Sequence, residues 1–167
     1  MIVERETSSG ELVESRICPL NELDESEDAL LARLVRYWFS LPRNHGVVPD
    51  IDNVGLMKLT NLGVLGWFHI VDVHNDDPAN FCYQLFAQRA TAVGGFSGQR
   101  ICDIGSKVLQ RTLERDLVRA KSNRFPLFQG VSTKLTSHSR EYRRVALPLA
   151  SGTDDVTHLL IGVHFNQ

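Results

Sequence analysis

Cysteine is scarce in this chain of 167 residues, with three in all, at Cys18, Cys82 and Cys102. They are far apart, odd in number and outside any Cys-x-x-Cys or Cys/His ligand spacing. That pattern argues against a disulfide framework and against a structural zinc site. An excess of one charge is also lacking. Lysine and arginine total 18, aspartate and glutamate 20, for a formal net charge of -2, with both signs mixed along the chain. No basic field is present to drive general nucleic-acid binding. No apolar run approaches the roughly 20 residues of a membrane span. The opening "MIVERETSSGELVESR" lacks the basic-then-apolar order of a secretory leader. These absences lead us to expect a cytoplasmic protein with neither membrane nor nucleic acid as partner. What is plentiful is hydrophobic side chain, 43% of the chain, enough for one core.

The polar, acidic residues 1–25 read as a flexible or weakly ordered lead, and residues 26–167 as one domain. The domain opens with a helix over 26–41. Ser26 is placed to cap it, Glu27 and Asp28 sit at the positive end of its dipole, and Leu30, Leu34, Tyr37, Trp38 and Leu41 form one apolar stripe. Pro42 ends it. Pro49 stiffens the connector that follows, and Asp50 and Asp52 suit caps or turns beside a short helix. The period then changes to two. Trp67 to Val73 and Phe81 to Gln88 alternate on either side of the turn-forming "HNDDPAN", which predicts a β-hairpin. After the Gly-rich "RATAVGGFSGQRICDIGS", Ser106 is placed to cap a helix with Leu109, Leu113, Leu117 and Ala120 on one side, ending near Ser122 and Asn123. The stretches "RFPLFQGVSTKL", "EYRRVALPLA" and "THLLIGVHFN" close the chain as antiparallel strands. The order predicts an α+β fold, a five-stranded antiparallel sheet with helices on one face.

That order resembles a PAS domain: two strands, a helical crossover ending in a longer helix, then a three-strand meander. "YWFSLPRNHGVVPDID" is similar to the opening motif of a bacterial PAS-like family, in which a Trp-ended helix leads to a Pro, a basic residue and an Asp-Ile-Asp step. "FCYQLFAQRATAVGGFSGQRICDI" is similar to that family's second strand and crossover. The resemblance covers roughly residues 33–165. Gln84 and Ala87 stand where the family usually has an Arg within the strand and a Gly after it. The resemblance implies a PAS-like five-stranded sheet with a helical crossover and an N-terminal helix, a sensory or signalling role, and pairing of two copies through the first helix.

Few residues point to chemistry. His69, His158 and His164 fall on strands that are neighbours in a PAS sheet, so His69 is a candidate to approach one of the other two. No further ligand is spaced to complete a metal site. Cys82 and Cys102 read as buried, inert thiols. "FSGQRICDIG" lacks the Cys-centred motif of flavin-binding PAS relatives, and residues 106–122 lack the axial His of haem-binding ones. "AVGGFSGQR" has neither the Lys-Ser/Thr ending of a phosphate loop nor GxGxxG spacing. His138, Ser139 and Glu141 are sequence neighbours rather than a gathered triad. Arg140, Arg143 and Arg144 read as a solvated basic strand edge.

A cavity between sheet and covering helix remains the leading candidate for a site. Its expected ligand-binding wall is Tyr83, Phe86, Phe96, Ile104, Leu113, Phe128, Val131 and Val145, and polar groups converging from Tyr83, Thr133 or Arg144 would mark it as a ligand site rather than plain core. We therefore expect a stand-alone sensory module, with a small-molecule ligand, a signalling protein partner, a homodimer contact at the first helix and the open sheet face, and no output segment after Gln167. No cofactor, metal or catalytic residue is assigned. The competing expectation is a small α+β isomerase or hydrolase, with His69 and either Asp72 or Tyr83 as its acid/base pair.

Overall fold

The computed structural model describes residues 2–44, 46–85 and 98–165. Among the described residues the sheet holds seven strands, not five: β1 (Ile2–Ser8), β2 (Glu11–Cys18), β3 (Phe68–Asp72), β4 (Cys82–Leu85), β5 (Leu127–Lys134), β6 (Ser139–Ala150) and β7 (Val156–Phe165). All neighbours are antiparallel, in the order β1-β2-β5-β6-β7-β3-β4. The expected five-stranded PAS-like sheet is thus corrected, while the broader α+β class stands. The two extra strands come from the stretch read as a lead. Ser9 and Gly10 both have positive φ, 51° and 80°, and Ser8 pairs with Glu11. This is the two-residue turn whose twist matches a hairpin. β2 then adds to β5 through seven residue pairs, from Leu12 against Lys134 to Cys18 against Phe128.

Among the described residues, three α-helices flank the sheet: α1 (Ala29–Ser40), α2 (Leu56–Asn61) and α3 (Lys107–Asn123). They do not share a face. α3 covers one side and α1 the other, so the side expected to be open for a homodimer contact is roofed by α1. The cause lies in β6 and β7. "VALPLA" and "LLIGV" are apolar at consecutive positions, as strands buried on both faces must be. Along β7, Leu159, Ile161 and Val163 face α3, whereas Leu160 faces α1. Gly162 lies under α1, where an added Cβ would stand 2.4 Å from Leu34 Cδ1. The missing side chain lets the helix sit close.

α1 begins at Ala29, not Ser26, with Asp28 at the cap position. The Asp24 carboxylate accepts from the backbone N–H groups of Ser26 and Glu27 and from the Ser26 hydroxyl, holding those residues in a turn ahead of the helix. Trp38 anchors α1: its indole Nε1 donates to the Pro148 carbonyl at 2.7 Å. In the connector, buried Asp50 accepts from the backbone N–H of Asp52 at 3.0 Å and of Gly152 at 2.8 Å, tying it to the β6–β7 turn. Ser106 caps α3 as expected, its hydroxyl accepting from Leu109 N–H at 3.2 Å.

Candidate functional site

α3 lays Leu109, Leu113, Leu117 and Ala120 on the sheet, and all four are buried. Asp116 falls inside that stripe and is also buried. A carboxylate there needs partners, because removing a charge from water costs several kcal/mol. Opposite it, β6 turns Arg144 inward, in register with Gln129 on β5. Arg144 Nη2 donates to Asp116 Oδ2 at 2.5 Å and Arg144 Nε to Gln129 Oε1 at 2.9 Å. Asp116 Oδ1 accepts from Ser15 on β2 at 3.3 Å and from Arg115 Nε at 3.2 Å. Arg115 continues outward to Glu4 at 2.6 Å and Glu6 at 3.3 Å on β1. Arg119 grips Glu4 with two bonds, at 2.7 and 2.8 Å. A chain of polar contacts therefore runs from the protein interior to the edge strand.

Aromatic and imidazole groups border the inner end. His69 and Tyr83 meet edge to face, with ring centroids 5.7 Å apart. Burial first, then the Arg144 charge, pushes His69 down to about 4. Burial raises the Tyr83 phenol well above its ordinary value, against the opposing pull of Arg144. Tyr142 is raised by burial too, with Asp116 adding to the effect. Burial is the strongest single influence and works against the Arg144 charge, but Asp116, Tyr142 and Tyr83 together outweigh it and the guanidinium is held above its ordinary range. At neutral pH the site thus presents a charged guanidinium, neutral imidazole and protonated phenols. Imidazole and phenol are both shifted away from pH 7, the opposite of what proton exchange near neutrality requires. Among the described residues, one polar atom in this interior is unmet: Gln129 Nε2 is fully enclosed and has no hydrogen-bond partner.

The expected wall residues divide between the two faces. Tyr83, Ile104 and Leu113 lie together under α3. Val131 is on the same face, in a smaller cluster with Val13 and Val108. Phe128 and Val145 pack on the opposite face, under α1, and line no site with the others. Phe86 and Phe96 lie outside the described residues. Of the polar markers, Tyr83 and Arg144 converge; Thr133 instead donates to the Arg140 carbonyl at 3.4 Å.

Other expectations are corrected. His69 pairs with Ile161, on the α3 face, while His164 lies across the sheet beside Asp28. Strand alternation puts His158 on that far side as well, so His69 meets neither. Asp72, an odd number of residues from His69, points away from it; Tyr83 alone of the two suggested partners is adjacent. The three arginines of "REYRR" form no common edge. Arg144 is buried, Arg143 bonds Asp28 at 2.5 Å, and Arg140 stacks over Phe165 at 5.6 Å. Cys82 and Cys102 are half-buried free thiols rather than core residues. Among the described residues, no group of three or more His, Cys, Asp or Glu gathers as metal ligands, and no helix is long and apolar enough to cross a membrane.

Sequence reasoning missed Asp116, Gln129, Ser15 and Tyr142. Signals existed. Asp116 interrupts an apolar helical stripe, and Gln129 alternates with Leu127 and Val131 on a buried strand face. Comparison with protein-family models, curated proteins and solved structures finds no match.

Proposed function

We propose that the chain is a sensory module of the PAS kind that binds a small ligand beneath α3 and reports its occupancy through the sheet. One observation carries the reading: an enclosed amide donor, Gln129 Nε2, stands unpartnered among the described residues, beside a buried arginine. A buried donor left unmet costs about 1–3 kcal/mol. A bound molecule that accepts from it removes that cost. The order of strands and helices from Phe68 onward and the two quoted motifs add the PAS likeness. The directions in which His69 and Tyr83 are shifted favour binding over acid/base turnover.

β6 supplies a route for the signal. Arg144 faces the ligand side, while its neighbour Arg143 reaches through the other face to Asp28 at the start of α1. A ligand that moves Arg144 strains β6 and with it the Arg143–Asp28 contact. The output would pass to a signalling partner or a second copy at the α1 layer, in a cytoplasmic setting that keeps the three thiols reduced. Native mass spectrometry of freshly purified protein tests the reading. A co-purified small molecule, lost in an Arg144→Met/Asp116→Leu variant that remains folded, is the expected result. A bare chain that no metabolite in a thermal-shift screen stabilises would refute it.

A further inference from the structure

We infer that the groove between α1 and α2 binds a phosphate monoester. The groove lies across the sheet from the site beneath α3 and stands or falls without it. Its volume is about 280 Å³, and Arg33, Arg36, Tyr37 and Ser40 of α1 line it together with Lys58 and Leu62 on the α2 side. Hydrogen bonds fix both ends. At one, Arg33 Nη1 donates to the Leu62 carbonyl at 2.6 Å. At the other, the Tyr37 phenol oxygen accepts from the Gly55 N–H at 2.9 Å. The two helices therefore run antiparallel past each other, and Lys58 falls between the clamps.

The charge sits in the lining itself. Three cations, Arg33, Arg36 and Lys58, border the groove and none of its lining residues is acidic. Arg36 is paired with Glu25 at 2.8 Å. Neither Arg33 nor Lys58 makes an ion pair among the described residues, which include every aspartate and glutamate of the chain. Two positive charges are left over. Hydrogen-bonding capacity has the same sense. Of the acceptors, the Leu62 carbonyl is engaged by Arg33 and the Tyr37 oxygen by Gly55. That leaves the Ser40 oxygen, whose own proton goes to the Tyr37 carbonyl at 2.6 Å. Donors are more plentiful. Arg33 spends Nε on the Ala29 carbonyl and one Nη1 hydrogen on Leu62, and its other N–H groups are unspent. The Lys58 ammonium adds further N–H groups and Tyr37 an O–H. Two unpaired cations and spare donors suit a dianion with several acceptor oxygens, the form of a phosphate monoester near neutral pH. A monocarboxylate would leave one charge unmet, and an amine would add to the excess. Leu56 and Met57, 64% and 76% exposed at the start of α2, stand where the chains of a lipid-borne phosphate would meet them.

Calorimetric titration of the full chain at low ionic strength tests this with inorganic phosphate and glycerol phosphate, against acetate and ethylammonium. Sedimentation with phosphatidylcholine vesicles, with and without phosphatidic acid, tests the lipid-borne form. Saturable phosphate binding, about tenfold or more tighter than acetate and weakened by added salt, is expected. Lys58 is exposed and outside both clamps. Lys58→Gln should therefore leave Tm unchanged and weaken phosphate binding about fivefold, the upper end for one exposed ion pair. Lys58→Gln/Arg36→Gln should weaken it further. Binding of the free phosphates assigns a soluble ligand; binding only to vesicles that contain phosphatidic acid assigns a lipid. Phosphate bound no more tightly than acetate overturns the dianion assignment. Phosphate binding that both variants leave unchanged overturns the groove as its place. No response in either arm removes the inference and leaves the reading of the α3 face untouched.

Discussion

The two faces of the sheet are built on different principles. Under α1 the interior is largely apolar: Leu31, Leu34, Trp38, Phe68, Phe128, Leu147 and Leu160 pack together, the Trp38 indole donates to the Pro148 carbonyl, the Tyr37 phenol accepts from Gly55 N–H, and Arg143 bonds buried Asp28. Under α3 an apolar cluster of similar extent surrounds a buried arginine, a buried carboxylate, an amide, an imidazole and two phenols. A fold that needed only stability has no use for the second arrangement, because well-packed apolar residues of similar volume do as well as a buried ion pair or better. On the reading proposed above, the α1 face serves as scaffold and the α3 face holds the ligand. The difference also separates the two kinds of polar contact. Arg143–Asp28 fastens the start of α1 to one face of β6, whereas Arg144–Asp116 fastens the middle of α3 to the other.

The largest expected effect tests the scaffold side. Phe128→Ala, at a position 1% exposed, should cost about 3–5 kcal/mol in urea unfolding by transfer and cavity terms together, without altering ligand selectivity. Asp116→Ala comes next and tests the other side. It strands Arg144 in the interior and should cost about 3 kcal/mol or more. The double variant Asp116→Leu/Arg144→Met should recover most of that stability while losing the ligand. A double variant as unstable as the single one would show the pair to be structural cement, and the contrast between faces would collapse.

Acid should sharpen the comparison. His69 is buried neutral, and its folded value near 4 lies below the ordinary 6.5. Above pH 6.5 neither state holds the proton and the full stability is present. As pH falls from 6.5 towards 4, the unfolded chain takes up a proton that the folded chain refuses. Stability then drops by an amount on the order of 3 kcal/mol and levels off below about 4. His69→Gln should flatten that part of the profile relative to wild type; identical slopes would place His69 in a wetter setting. The smallest effect belongs to the edge. Glu4, held low chiefly by its hydrogen bonds from Arg119, joins β1 to α3 in a partly exposed cluster. Glu4→Gln should cost no more than about 1 kcal/mol, a difference that disappears in roughly 1 M salt.

Much of the fold was legible in the sequence. Period-two alternation located β3 and β4, Ser106 and the Leu109–Leu113–Leu117 stripe located α3, and the turns "TSHSR" and "SGTDD" separated the last three strands. The seven-strand count was missed because β1 has little to bury. Its side chains are mostly exposed and charged, and it is held by pairing with β2 and by ion pairs to α3, which no hydrophobic pattern reveals. The two-sided sheet was written in the unbroken apolar runs of β6 and β7, a pattern that alternation-based reading overlooks. The site was half visible. Tyr83, Ile104 and Leu113 were found as apolar residues near a helix. Phe128 and Val145 went to the wrong face because the parity of β5 and β6 cannot be set until the strands are paired. Asp116 and Gln129 were passed over because their meaning depends on Arg144 standing opposite.

The measurement that bears most directly on the central claim is a high-resolution crystal structure of freshly purified protein, read at Gln129 Nε2 and Arg144. We predict density for a multi-atom acceptor within about 3 Å of the amide, continuing into the apolar surroundings of Leu113 and Ile161. A lone water there, or side chains closed directly onto the amide, would contradict the account and leave the α3 face as core.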